Sequence, residues 1–432
     1  MYLSDCLSVL ENGHLAMDGV DTVALAQRFG TPVYCLSDAE IRRACRTFTE
    51  ALRGQFGANA AVLYASKALC CKEVLRIVQS EGMGLDVVSG GELYTAKSVG
   101  FPADRIYFHG NNKTAGELAD ALEYGVGTVV ADNLFELETL AKLCEAKGIR
   151  QDVLLRIKPG VEAHTHKFIL TGCIDSKFGF ALENGEAEAA VQRAAGCKAL
   201  RLVGLHCHIG SQIFESEPFC EAARVMLRFM DRCGREYGTA MHTLNLGGGY
   251  AIKYLPENRF TPAKQMIETV ARAVKAECAA LGMETPRILL EPGRRIVGSA
   301  GVTLYTVGAI KEIENVRTYV SVDGGMTDNP RYALYQAEYT ALLANRANAP
   351  ADCRVTIAGQ CCESGDLIQE NTLLQNAAPG DILAVLSTGA YNYSMASNYN
   401  RIPRAPVVLV RDGDAQVIVR RETYEDLLRC DI

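Results

Sequence analysis

The sequence has no tryptophan, and nothing follows from that alone. Its other absences exclude more. No run is rich in lysine or arginine, and the formal net charge is −7, which argues against nucleic acid or an anionic membrane as a main partner. No apolar run approaches the length of a bilayer span. The opening stretch, "MYLSDCLSVLENGHLAMDGVD", lacks a basic region followed by an apolar one, so it does not read as a secretory signal. No C-x-x-C occurs, and the 16 cysteines are scattered with no export signal, which points to reduced thiols in a cytoplasm. G-x-G-x-x-G is missing as well, which weakens a doubly wound dinucleotide-binding sheet.

What is present suits two domains: 432 residues, 48% of them hydrophobic. Eight short apolar runs alternate with helix-like stretches in the first two-thirds of the chain. They are "AVLYA" at 61–65, "GLDVV" at 84–88, "RIYFH" at 105–109, "GTVVA" at 127–131, "DVLLRI" at 152–157, "RLVGLHCHI" at 201–209, "TLNL" at 243–246 and "RILL" at 287–290. Segments such as "CKEVLRIVQSEG" and "NLFELETLAKLCEAKG", with apolar residues three and four apart, lie between them. This order predicts a parallel (β/α)8 barrel over residues 36–296. Beyond it, "VTLYTVGAIKEI", "RTYVSVDGG", "CRVTIAG", "DILAVLS" and "APVVLVRDGDAQVIVRR" predict an all-β domain, a sandwich or barrel, over 297–432. Asp412-Gly413 is a hairpin signal within it. The strand- and turn-like residues 1–35 are expected to join that domain.

Chemistry in such a barrel sits where strands meet the following loops. Those positions hold Lys67, Asp86, Ser89, His109, Asp132, Arg156, His208, the triplet Gly247-Gly248-Gly249, and Glu291. Lys67 at the lip of an apolar strand has two readings: a lysine reaching solvent, or one held dry so that its amine attacks a carbonyl. The recurrence of reactive residues at one end of successive strands favours the second. The glycine triplet lets backbone N–H groups close around an anion, and Arg294 or Arg295 of "EPGRR" adds charge-assisted bonds to the same anion or to a carboxylate. His206 and His208 share a strand face. With seven histidines in the chain and none clustered helpfully elsewhere, the pair suits an imidazole stacked on an aromatic cofactor better than a zinc site, so no metal is expected. The "HTH" at 164–166 reads as solvated loop. Lysine, phosphate cradle, stacking imidazole and carboxylate together are what pyridoxal phosphate asks for. On residue type alone, Cys362 reads as a buried core cysteine, and Tyr335 and Tyr391 as packing of the β-domain.

The motifs "YASKA", "HCHIGSQ", "LNLGGGY", "EPGR", "VDGGMTDNPRYALY", "CCESGD" and "STGAYNYSMASNYN", in this order, resemble the diaminopimelate decarboxylase family of the alanine-racemase-like fold. The resemblance runs nearly end to end. One departure is local: many relatives carry valine and asparagine around the lysine, where this chain has Ser66 and Leu69. The resemblance implies that Lys67 is the Schiff-base lysine, His208 the ring-stacking histidine, and Ser211 a cofactor neighbour. It places phosphate and pyridine sites at Gly247, Gly248 and Gly249 and at Glu291, Pro292, Gly293 and Arg294. Arg294, Arg331 and Tyr335 are then binders of substrate carboxylate. Glu363 faces the distal amine, and Tyr391 touches cofactor and substrate. The partner subunit's Cys362 is implied as proton donor, in a homodimer with shared active sites. The implied reaction is decarboxylation of meso-2,6-diaminopimelate to L-lysine, the last step of lysine biosynthesis. Rival readings are a decarboxylase of ornithine, arginine or a carboxylated polyamine, an amino-acid racemase on the same fold, a metal hydrolase, and a non-catalytic cofactor carrier.

Overall fold

The computed structural model describes residues 3–161 and 175–432, so the "HTH" at 164–166 lies outside the described residues. The chain divides into two compact units: one of Cys45–Ala251 with Phe260–Gly293, the other of Met1–Ala44, Ile252–Arg259 and Arg294–Ile432.

In the first unit the eight apolar runs form strands β1 (Ala61–Ala65), β2 (Gly84–Val87), β3 (Ile106–Phe108), β4 (Thr128–Ala131), β5 (Gln151–Lys158), β6 (Leu200–His206), β7 (Thr243–Asn245) and β8 (Arg287–Leu290). Each pairs in parallel with the next, and β8 returns to β1, so the sheet closes into the expected (β/α)8 barrel. A closed parallel sheet flanked by helices buries both faces, which is why these strands read as continuous apolar runs. Leu63, Tyr107, Val130, Leu154, Val203 and Leu289, from six different strands, gather into one buried cluster. Truncating one of them, such as Leu154→Ala, should cost about 2–5 kcal/mol of stability. The short Phe180–Ala181 strand pairs with β5 outside the closed ring.

The loops at the C-terminal ends of β2, β3 and β4 run straight into capped helices. Ser89, Thr114 and Asn133 each accept a hydrogen bond from the backbone N–H three residues on, at Glu92, Glu117 and Glu136. Each cap satisfies an otherwise orphaned donor and contributes about 1 kcal/mol. Three consecutive loops at the mouth of the barrel are thereby fixed at both ends.

The second unit is built on a long strand, Gly301–Ile313. Its first half pairs with Val33–Ser37 and with Ile382–Leu386, and its second half with Arg317–Val322. The N-terminal segment thus joins the β-domain through Val33–Ser37. It also contains a helix, Thr22–Phe29, where strands and turns were expected; Asp21 caps its start. Two apolar clusters fill this unit, one around Leu304, Leu342 and Val408, the other around Tyr305, Ile357 and Leu383. Asp412 and Gly413, at φ 53° and 80°, make the expected hairpin turn between Val407–Arg411 and Asp414–Val419. Among the described residues no helix is long and apolar enough to cross a membrane.

Candidate active site

The barrel unit gathers its titratable residues at one end. Glu291, just past β8, is buried. Its carboxylate accepts from Asn245 Nδ2 at 2.6 Å and His206 Nε2 at 3.1 Å, and His109 Nε2 lies 2.8 Å from it. Burial by itself would raise its pKa, but the two imidazoles more than offset that and hold it well below the usual carboxylate range. His206 meanwhile is pushed down to about 4 by burial, against the pull of Glu291, so at neutral pH it is an uncharged donor. Asp86, 3.8 Å from His109, goes the other way: burial lifts it to about 6, moderated by His109.

His206 and His208, expected on one face, serve different partners. His208 is half-buried, and its Nδ1 accepts the Gly248 N–H at 3.2 Å. Burial, then the nearby charges of Lys67 and Arg156, drive its pKa well below the imidazole range, leaving a neutral ring. His109, His206 and Glu291 do converge, their ligand-capable atoms within 4.8 Å of one another. The nitrogens meet the carboxylate at hydrogen-bond distance, an arrangement of donors around an anion.

The expectation of a dry Lys67 is corrected. The turn Ser66–Ala68 buries Ser66 and Ala68 and turns Lys67 between them outward, so the lysine is exposed. Its charge is nonetheless felt by Asp86, Glu92 and His208. The turn is braced from below: Glu92 Oε2 accepts from Ser66 Oγ and from the Val88 N–H, both at 2.7 Å. A second brace is the buried Lys113–Glu136 pair, 2.8 Å apart, whose ammonium also donates to the Gly110 and Val130 carbonyls. Burial, offset in part by Lys113, raises Glu136 to about 7. This pair ties the loop after His109 to the strand leading to Asp132. Asp132 in turn accepts the Gly179 N–H at 3.0 Å and faces Arg156 at 3.8 Å.

The glycine triplet needs a partial correction too. Two of its three N–H groups are committed to side chains, Gly247 to Asn245 Oδ1 and Gly248 to His208. The stronger reason for glycine here is crowding by backbone. A Cβ on Gly247 would lie 2.4 Å from the Cys207 carbonyl oxygen, and one on Gly248 2.1 Å from that of Glu291.

In the other unit Arg294 and Arg331, both buried, share one phenol. Arg294 Nη1 donates to Tyr254 Oη at 2.6 Å and Arg331 Nη1 at 3.1 Å. The Arg294 guanidinium also lies 4.8 Å from the centre of the Tyr391 ring. Tyr391 is half-buried with φ 69°, an unfavourable backbone state for a tyrosine that its surroundings impose. Tyr335 is half-buried, on the same face of the Arg331–Tyr335 helix as Arg331. Cys362 is exposed, not a core cysteine; its neighbour Cys361 is the buried one, its pKa raised to about 12 by burial and then by Asp366. The Cys362 N–H donates to Asn400, and the exposed Glu363 accepts weakly from Gly365. Ser211 is half-buried, while Pro292 and Gly293 are buried between Glu291 and Arg294.

Asn245, Glu92, Tyr254, Tyr339, Lys113 and Glu136 were not picked out from the sequence. The spacing Ser89-x-x-Glu92, a helix-start pattern, was a usable signal for one of them. The others meet partners far away in the chain.

The donor set of the barrel unit fits pyridoxal phosphate: an accessible amine, a carboxylate held anionic and a neutral half-buried imidazole. Fold and site define a pyridoxal-dependent decarboxylase, and the family described as "Pyridoxal-dependent decarboxylase, pyridoxal binding domain" matches residues 38–298. Diaminopimelate decarboxylase of Bacillus subtilis is 49% identical over 432 residues, all of this chain and 98% of its own length. That of Staphylococcus aureus is 46% identical, covering 97% of each chain. The crystal structure of diaminopimelate decarboxylase from M. jannaschii in complex with L-lysine superposes with a TM-score of 0.93 at 35% identity, covering 100% of this chain and 99% of that one. The chain belongs to the diaminopimelate decarboxylase family.

Proposed function

We propose that this protein removes CO2 from one end of meso-2,6-diaminopimelate to give L-lysine, with pyridoxal phosphate as cofactor, in the last step of lysine biosynthesis. The observation that carries the reading is Arg331. It is 8% exposed and bonds two phenol oxygens, and among the described residues no carboxylate pairs with it. A buried cation with neutral partners suits an anion that arrives with the substrate. Diaminopimelate keeps one carboxylate through the reaction. Ornithine and arginine carry only the carboxylate that leaves, so they would give such a cation nothing to hold in the product.

Bound pyridoxal phosphate supplies an electron sink for the pair released when CO2 departs. Lys67 would hold it through its amine, with His208 against the ring and Ser211 beside it. Glu291 would keep the pyridine nitrogen protonated. Gly247, Gly248, Gly249, Pro292, Gly293 and Arg294 would border the phosphate. Arg294, Arg331 and Tyr335 would bind the retained carboxylate, Glu363 the distal ammonium, and Tyr391 both cofactor and substrate. The Sγ–H of the partner subunit's Cys362 would return a proton to the carbon that lost CO2. This reading takes the protein as a cytoplasmic homodimer with shared sites.

Borohydride reduction of the purified protein should fix a pyridoxyl group on the Lys67 peptide. CO2 should be released from meso-diaminopimelate with a higher kcat/KM than from ornithine or arginine. A label on another lysine, or a preference for ornithine, overturns the reading.

A further inference from the structure

Beyond the residues assigned above, the second unit contains a polar ladder running through its apolar interior. Tyr254 Oη receives Arg294 Nη1 at 2.6 Å and Arg331 Nη1 at 3.1 Å. Arg331 Nη1 also donates to Tyr339 Oη at 2.6 Å, and Tyr339 Oη donates to Asn392 Oδ1 at 3.2 Å. Asn392 follows Tyr391, whose ring lies under Arg294, so the ladder turns back to where it began. The rings of Tyr254 and Tyr339 pack edge to face, 5.0 Å between centres. Arg294, Arg331, Tyr254, Tyr339 and Asn392 are all buried.

Two guanidiniums this close repel, and burial strengthens the repulsion. Because both donate to one oxygen, their Nη1 atoms are no farther apart than those two bonds laid end to end. A carboxylate in the place of Tyr254 would neutralise the pair and compete with any incoming anion. A phenol oxygen accepts both bonds without bringing a carboxylate's full negative charge. Burial would raise the Tyr254 pKa, but Arg294 and Arg331 more than offset it and leave it below the phenol range, which reports how strongly the oxygen is drawn into both bonds.

We propose that Tyr254 is a positioning residue that clamps Arg294 and Arg331 at one spacing, so that the two cations meet the retained substrate carboxylate as a preformed pair. The proposal rests on the function given above and adds the residue that sets carboxylate affinity. Tyr254 itself touches no substrate in this account. Tyr339 is the outer support, holding the far side of Arg331.

The test is Tyr254→Phe in the holoenzyme, which deletes one oxygen and keeps the ring. The KM for meso-diaminopimelate should rise about tenfold while kcat changes by less than about threefold, the size expected for losing a hydrogen bond to a charged group. Inhibition by L-lysine, which carries the retained carboxylate, should weaken by the same factor. Inhibition by cadaverine, the same chain without a carboxylate, should not change. Tyr339→Phe should give the same pattern at a smaller size, and it decides the matter if Tyr254→Phe does not fold. Lysine and cadaverine weakening together, kcat falling at constant KM, or no change in KM would each overturn the proposal. Wild-type protein that releases no CO2 from diaminopimelate would instead refute the function on which it rests.

Discussion

The two units bury charge in opposite ways. In the barrel, one carboxylate, Glu291, is surrounded by Asn245, His206 and His109. In the other unit, two guanidiniums are held by the neutral acceptors Tyr254 and Tyr339. In both arrangements hydrogen-bonding partners from separate stretches of the chain fix the orientation of the charged group. The Lys113–Glu136 pair shows the alternative: those two charges neutralise each other and serve as a structural tie.

The comparison can be tested at once in both regions. If the proposed dimer shares its sites, Lys67→Ala and Cys362→Ala are each nearly inactive. Mixing them under subunit exchange should restore roughly a quarter of wild-type activity by random pairing. Complete exchange shown by mass, with no activity, would place Lys67 and Cys362 in the same chain's site. Glu291→Gln keeps the shape and removes the charge. It should lower kcat/KM by about 10²–10³-fold, measured by CO2 release on protein whose circular dichroism is unchanged. Arg331→Ala should retain cofactor by absorbance yet lose kcat/KM on the order of 2–5 kcal/mol, because a buried charged contact is removed. A normal kcat/KM would take Arg331 out of the pocket.

The smallest effect concerns stability. His206 titrates near 4 in the folded chain, below the usual imidazole value of about 6.5. The folded state thus binds fewer protons than the unfolded one in that window. Stability from this group is complete above about pH 6.5 and is lost as pH falls toward 4, at up to about 1.4 kcal/mol per pH unit. His206→Gln keeps a donor and removes the titration. Urea unfolding at stepped pH should show a shallower acid slope in that variant; an unchanged slope would mean that His206 is already charged in the fold.

The barrel was legible because its strands are buried on both faces, and each run stops at a polar residue where the active end begins. Lys67, Glu291 and His208 were singled out by that rule. The edge strand Leu367–Leu374 was not, since "LIQENTLL" places polar residues on its open side and loses the apolar signature. Tyr254 and Tyr339 were invisible for a different reason. An aromatic residue near a β-domain reads as packing, and only the fold shows that its oxygen ends against a guanidinium. The same limit explains Cys361 and Cys362, adjacent residues with opposite exposure that no composition rule separates.

The crowding at Gly247 and Gly248 reaches beyond this one chain. Those positions are closed by carbonyl oxygens of neighbouring strand ends, which no rotamer change can move aside. Any side chain there would require the barrel itself to shift, so point substitution cannot reshape the loop after β7. Cys362 and Glu363 in the other unit are exposed instead, so a lineage built on this scaffold would hold the loop after β7 nearly constant while exposed positions drift.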